Sequence, residues 1–316
     1  MATEHVIGVD LGGTKLLAGV VDVELGVHHR VQQPADSTAT GALLDQIARV
    51  VAEVREQAGE EIVGVGFGIP CLMDAQRGVA SSSVHLPLDG VPFVDVMLER
   101  LGLPVFVDND ANLALLAEHR AGAARGARNA VMLTIGTGIG GGLIIDGELY
   151  RGARGAAGEL GHMVVDADGP ICGAGCPNRG CLEAVASGSA LVREATLAAA
   201  EHPQSALART GRPITGPLAV ELAHDGEEVA LKVIGRIGSW LGVGIASLLN
   251  IFDPDIVVVG GGVIAAGELL LEPARIVAAE RSLPRSGGAK PPARIVAARF
   301  GAESGMLGAA MLAYDS

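Results

Sequence analysis

At 316 residues the chain has room for about two domains of roughly 150 residues each. Its 49% hydrophobic and 19% charged content lies well outside the range of disordered chains. A net charge of −13 provides no field to gather nucleic acid or an anionic membrane, and 3% aromatic residues leave little to stack on single-stranded bases. Glycine, at 46 residues, is about twice its usual share of ~7% and has no collagen period, so many tight backbone turns are implied. The N-terminus has neither a basic start nor an apolar export run, and the longest uncharged stretch, 129–145, is too glycine-rich for a spanning helix. The expectation is a cytoplasmic protein with no nucleic-acid or membrane partner.

In chain order, HVIGVD (5–10) is a short β-branched run, followed by a turn at Leu11-Gly12-Gly13-Thr14 and a second strand over 15–23. VHHRVQQP (27–34) suits a third strand. Over 40–59, Leu43, Leu44, Ile47, Val50, Val51 and Val54 recur on one helical face. Next come a buried strand (62–69), a loop through Ser81-Ser82-Ser83, a helix near 92–101 and a strand at 104–109. The spacing predicts a helix over 110–124, with Asn109 or Asp110 placed to cap its first turn. Further on, 234–252 suits a long apolar helix carrying the sole tryptophan, Trp240, and PDIVVVGGGV (254–263) a buried strand ending in glycines. The stretch 282–293 suits an exposed loop, and 303–314 a closing helix.

Two segments echo each other at an offset of 124 residues, DLGGTKLLAGVVD (10–22) and TIGTGIGGGLIID (134–146). Both suit a strand, a Gly/Thr turn and a second strand. Chance matching of glycine-rich windows is one explanation; the other is a duplicated domain, each half offering one hairpin to a shared cleft. The expected division is a small α/β domain over 1–112, completed by a helix over 302–316, and a larger α/β domain over 113–301. The larger domain carries the second turn, the clustered cysteines and the glycines at 260–262.

Three constellations could carry chemistry. Asp10, Gly12, Gly13, Thr14 and Lys15 form either an ordinary glycine turn or a cradle whose backbone amides meet anionic oxygens, with Asp10 near magnesium. Gly136, Thr137, Gly138 and Gly140 offer a second such turn, and Gly261 and Gly262 would let a nucleoside lie against backbone. Asp108-Asn109-Asp110 joins a strand to a helix. There Asp110 either caps the helix or, ionised in the helix N-terminal field, accepts a proton. Finally, His162 with Cys172, Cys176 and Cys181 suits a closed tetrahedral zinc site of structural type, small buried thiols being the alternative. Cys71 stands apart as a packing residue.

Taken together, DLGGTK (10–15), DNDAN (108–112), LTIGTGIGGG (133–142), GELGH (158–162), CPNRGCLE (176–183) and VVVGGG (257–262) resemble the ROK family of sugar kinases and repressors. Among its members the likeness is greatest to the bacterial glucokinases. The resemblance implies an actin-like (ribonuclease H-like) ATPase fold, with two related α/β domains around a cleft. It implies a transferase that uses ATP with magnesium to phosphorylate a hexose, glucose at its 6-hydroxyl first. N-acetylhexosamine or fructose is the alternative acceptor, and polyphosphate an alternative donor. Asp110 would match the family's general base. Asn109, Glu159, His162 and Glu183 would match sugar ligands, with Gly68 in a loop bordering the sugar. His162, Cys172, Cys176 and Cys181 would hold structural zinc, and a homodimer or homotetramer is implied. Two departures stand out. The commoner family spacing is C-x-C-x4-C where this chain has Cys172-x3-Cys176-x4-Cys181, and Cys71 replaces a usual glycine after Pro70. A sugar-sensing regulator of this family would carry a DNA-binding segment before the first strand. That strand here begins at about His5, so the kinase is expected.

Overall fold

The computed structural model describes residues 4–59, 61–74, 77–83, 86–173, 175–283 and 293–315, so the loop expected at 282–293 falls almost wholly outside the described residues. Contacts divide the chain into two units. One comprises Met1–Arg125, Leu149–Gly158 and Arg299–Ser316, the other Gly126–Glu148 and Glu159–Ala298.

In the first unit, β1 (His5–Leu11) and β2 (Lys15–Val21) form an antiparallel hairpin in which Leu11 faces Leu16, and β3 (Val27–Pro34) pairs with β2. After α1 (Thr40–Ala58) come β4 (Ile62–Ile69), the hairpin β5 (Cys71–Asp74) and β6 (Val79–Ser83), α2 (Phe93–Leu101), β7 (Val105–Asn109) and α3 (Asp110–Arg120). β4 runs parallel to β1 and β7 parallel to β4, in the order β3-β2-β1-β4-β7. The apolar stripe of α1 packs with Ile7, Val9, Phe67, Phe93 and Met97 in one core. β2 stops at Val21 rather than Val23 because Asp22 turns the chain. Its Oδ1 accepts the N–H groups of Glu24 and Gly26 at 2.8 Å. Ser81–Ser83, expected as a loop, belongs to β6: Cys71 faces Ser83 and Leu72 faces Ser82. Of β6 only Ala80 is buried, so no apolar alternation announced it.

The second unit repeats this plan. β8 (Ala130–Ile135) and β9 (Ile139–Ile145) form a hairpin with β10 (Glu148–Leu149) at its edge. The short hairpin β11 (Ile171–Gly173) and β12 (Cys176–Arg179) follows. Next come α4 (Leu182–Ala186), α5 (Gly188–Glu201), α6 (Ala206–Arg209), α7 (Gly216–His224), α8 (Glu228–Phe252), β13 (Ile256–Gly260), α9 (Glu268–Arg281) and β14 (Arg294–Ala297). The sheet order β10-β9-β8-β13-β14 matches the first sheet place for place, with β13 parallel to β8 and β14 parallel to β13. A shift of 124 residues lays β2 on β9 from end to end. The turns differ, however. Leu11 opposes Leu16 but Ile135 opposes Ile139, so the second turn is one residue shorter. α8 begins at Glu228 rather than Ile234 because Glu227 caps it, accepting the Ala230 N–H at 2.6 Å. By length and composition α8 could cross a membrane, but Val233, Ile234, Ile237, Leu241, Ile245 and Leu248 bury it in this unit's core.

The last helix, α10 (Ser304–Tyr314), folds back on the first sheet. Gly8 of β1 and its register partner Gly66 of β4 leave no room for a Cβ against the backbone carbonyls of Met306 and Ala309. Gly308 likewise lies against the backbone of Leu113, so α3 is gripped whole and the expected boundary at 112 falls inside it. At this junction the fully buried Glu118 accepts four hydrogen bonds. Oε1 takes Phe300 N–H at 2.8 Å and Ser304 Oγ at 3.1 Å; Oε2 takes Ala123 N–H at 2.8 Å and Arg299 N–H at 3.0 Å. Its hold on Ala123 ends α3 at Arg120, short of the expected 124. Leaving those donors unpartnered should be expensive: Glu118→Ala is expected to cost about 3 kcal/mol or more in urea unfolding, with Glu118→Gln intermediate. A wild-type midpoint in the alanine variant would refute the clamp.

Candidate functional site

In the first unit the carboxyl ends of β1, β4 and β7 lie side by side, Asp10 beside Gly68 and Gly68 beside Asp108. This is the end of a parallel sheet where α/β folds bind ligands. The adjoining turn is closed by Gly12 N–H donating to Lys15 O at 2.7 Å, and Ala35 N–H donates to Thr14 O at 3.2 Å. Burial pushes Asp10 up to about 6, against the Lys15 ammonium 3.8 Å away. Part of that desolvation comes from Gly305 of α10, where a Cβ would stand only 2.6 Å from Asp10 Oδ1. A carboxylate oxygen short of counter-charge is a fitting donor for a hard divalent cation.

At the end of β7 the two candidate caps separate. Asn109 Oδ1 accepts the N–H groups of Ala111 at 2.9 Å and Asn112 at 3.2 Å, making Asn109 the N-cap and Asp110 the first residue of α3. A Cβ on Gly68 would stand 3.4 Å from both Asp110 Cα and Leu113 Cδ1, so the strand end passes close beneath Asp110. Buried Asp108 braces the motif: Oδ1 accepts Asn109 N–H (2.7 Å) and Asn112 Nδ2 (3.1 Å), and Oδ2 accepts Arg151 Nε (2.6 Å). Cys71 is buried, as expected of a packing residue. Burial pushes its thiol up to about 11, with Asp110 and Asp89 adding to the shift and Ser83 opposing it.

In the second unit the Gly136–Gly138 turn is held from behind by α5. Gly188 N–H donates to Gly136 O (2.8 Å), while Ser189 donates to Thr137 O through its N–H (3.2 Å) and its hydroxyl (2.8 Å). Gly136 N–H closes onto Gly138 O at 2.9 Å. Gly140, expected in the turn, stands inside β9 opposite Thr134. Beside the turn opens a groove of about 830 Å³. Leu191, Val192, Val220 and Val263 line its walls, Gly136, Thr137, Gly188 and Gly262 one end, and Glu221 and His224 its polar rim. Arg212 Nη2 donates to Glu221 Oε1 at 2.9 Å, and this pairing holds the Glu221 carboxyl below its usual range. Gly261 (φ 85°) has a packing role. A Cβ there would stand 2.5 Å from the backbone of Ile135, so it serves the junction of β13 with β8, whereas Gly262 faces open space.

The same unit gathers the fourth cluster. The donor atoms of His162, Cys172, Cys176 and Cys181 all lie within 4.8 Å of one another. Cys176 Sγ is 3.9 Å from Cys181 Sγ, and Cys172 Sγ is 3.5 Å from His162 Nδ1. Tetrahedral zinc with ordinary bond lengths has edges of about 3.8 Å between sulfurs and about 3.6 Å between sulfur and nitrogen. The donors therefore fit, and the Cys172-x3-Cys176 spacing brings both thiols into the cluster. Burial and both neighbouring thiols push the Cys172 thiol up, and burial and Cys176 push Cys181 up with Cys172 opposing, a penalty that a bound cation would remove. The other ring nitrogen, His162 Nε2, lies 3.9 Å from Glu159 Oε2. Desolvation holds Glu159 above the usual carboxylate range, with Glu183 adding to the shift and His162 opposing it.

Arg151, Ser189, Glu221 and His224 escaped the sequence analysis. Only the Ser187–Ser189 helix start carried a local signal, a serine N-cap.

Two topologically matched sheets, each with a turn between its hairpin strands, define an actin-like ATPase fold. The chain belongs to the ROK family, whose pattern matches residues 6–316. The glucokinase of Streptomyces coelicolor is 39% identical over 320 residues, covering 98% of this chain and 97% of that protein. The glucokinase of Thermotoga maritima is 36% identical over 311 residues, covering 97% and 96%. A ROK family glucokinase from Streptomyces griseus, solved with glucose and AMPPNP, superposes with a TM-score of 0.90 at 38% identity, covering 99% of this chain and all of that one.

Metal analysis of the purified chain is expected to return about one zinc per chain, and Cys172→Ser to lower both zinc content and melting temperature. A metal-free wild type of undiminished stability would exclude the site.

Proposed function

We propose that the chain is a sugar kinase that uses ATP to phosphorylate glucose at its 6-hydroxyl. The observation that carries this reading is the groove of the second unit. Its apolar walls suit a nucleoside, and it ends at a glycine turn whose backbone amides favour phosphate oxygens. The full-length likeness to glucokinases supports glucose as acceptor.

In this mechanism Asp110 accepts the proton from the 6-hydroxyl as that oxygen attacks the γ-phosphorus, and ADP leaves in line. Catalysis is positioning plus charge stabilisation. Asn109, Glu159, His162 and Glu183 bind the sugar hydroxyls, and the Gly68 loop is assigned to the sugar as well. His162 can do so through Nε2 while Nδ1 faces the thiols, so a metal there would fix the ring. Backbone amides of the Gly12–Lys15 and Gly136–Gly138 turns meet the phosphates. Magnesium, when bound, neutralises phosphate charge, and Asp10 is the residue to hold it. The brace of Asp108 with Arg151 and Asn112 keeps the end of β7 rigid, and with it Asp110.

ADP release should be measured with magnesium-ATP across glucose, N-acetylglucosamine, N-acetylmannosamine, mannose and fructose. Glucose is expected to give the highest kcat/KM. Asp110→Asn is expected to lower kcat by at least ~10²-fold while sugar binding persists. Turnover near wild type in that variant would remove Asp110 as the base, and silence on every sugar would remove the kinase.

The titration of Asp10 gives a second test. Its carboxyl is raised from 3.8 to about 6, so the folded chain holds this proton more tightly than the unfolded one. Asp10 therefore costs stability as pH rises through that window, and a bound cation recovers the cost. Protonation below the folded value weakens metal–nucleotide binding, so KM for magnesium-ATP should rise roughly fourfold from about pH 7.5 to about pH 5.5. In Asp10→Asn it should be high and flat.

A further inference from the structure

We infer that Glu183 is a positioning residue for the second phosphate turn, setting the geometry of Gly136–Gly138 in addition to any contact with sugar. This inference rests on the kinase reading. Glu183 stands in the first turn of α4, beside the thiol cluster, and Cys172 Sγ lies 3.8 Å from its Oε1. Its other oxygen, Oε2, accepts the N–H of Ile139 at 2.8 Å, at the point where the turn enters β9. A Cβ on Gly138 would collide with that same oxygen, so the carboxylate fills the space that the glycine leaves.

The consequence follows from the turn's hydrogen bonds. The carbonyls of Gly136 and Thr137 are drawn towards α5 by Gly188 and Ser189, and Gly136 N–H is taken by Gly138 O. Ile139 N–H is taken by Glu183. Of the amides from 136 to 139, only those of Thr137 and Gly138 donate to no protein group among the described bonds. α5 therefore fixes one side of the turn and Glu183 the other, leaving two adjacent N–H groups for phosphate. The hydrogen bond is charge-assisted and connects elements far apart in sequence, so the turn's shape depends on the reach of this side chain. The negative charge itself opposes phosphate, which makes reach, not charge, the property that nucleotide binding needs.

Glu183→Gln keeps the reach and an acceptor oxygen; Glu183→Asp keeps the charge and withdraws it by one methylene. Calorimetry with magnesium and a non-hydrolysable ATP analogue, in the absence of sugar, separates the two. Glu183→Asp is expected to weaken nucleotide binding about tenfold or more, the range for losing a hydrogen bond to a charged group. Glu183→Gln should bind the nucleotide as tightly as wild type or more tightly, although its sugar affinity falls. Zinc content and melting temperature, followed in parallel, would show whether either variant fails to fold. If the aspartate variant does, nucleotide binding by the glutamine variant decides: a tenfold loss there overturns the inference. Unchanged nucleotide affinity in folded Glu183→Asp also overturns it and leaves the kinase intact. A wild type that binds no nucleotide overturns the kinase reading and this inference with it.

Discussion

Backbone lying directly on backbone is the constraint from which the first unit follows. Gly8 and Gly66 stand side by side in β1 and β4, and both face the main chain of α10 with no space for a side chain. A methyl group at either position would lift α10 off the sheet. The same close seating brings Gly305 against Asp10, which strips water from that carboxylate and raises it to about 6. Packing on one face of the sheet thus tunes the charge at its carboxyl end. Glu118 secures the seat by gathering the amides on both sides of it, those of Ala123, Arg299 and Phe300.

The two matched sheets each carry a hairpin turn, and the two turns are unlike. The first spans Gly12–Lys15, with a lysine and a partly desolvated aspartate beside it. The second is shorter by one residue, carries no side chain larger than threonine, and takes its shape from α5 and Glu183. One turn therefore presents charge and the other backbone alone.

Much of this was legible in the sequence because it rested on local rules. The stripe Leu43–Val54, the turn glycines and the 124-residue echo each mark a period or a turn that physics allows few other uses. The His162–Cys181 set was legible because tetrahedral coordination needs particular atoms at short spacing. What stayed hidden depended on distant partners. Arg151 gains its meaning only where it meets Asp108, and the packing of Gly261 on the Ile135 backbone left no mark in the local sequence. β6 buries one residue and so wrote no alternation, and α5 to α7 carry mixed faces rather than a clean stripe. Gly140 was placed in the turn by its glycine-rich run, although the offset itself lays it on Leu16, a residue of β2.

The loop from Met163 to Cys181 shows why metal donors belong in this part of the chain. It contains two short strands, and Val164 and Ile171 are exposed, so it cannot bury enough apolar surface to hold itself together. Beside its ends stand His162 and Glu183, both proposed to meet the sugar. Gly180 meets the carbonyl of Asp166, and Val165 and Asp166 both donate to Gly180 O, but backbone bonds alone leave the imidazole free to turn. A cation shared by His162 Nδ1 and three thiols would stop that rotation and aim Nε2 towards Glu159, replacing a core that a segment of this length cannot build. On the kinase reading, structural metal and substrate recognition would be one requirement, because the atom that would anchor the loop and the atom that would meet the sugar belong to the same ring.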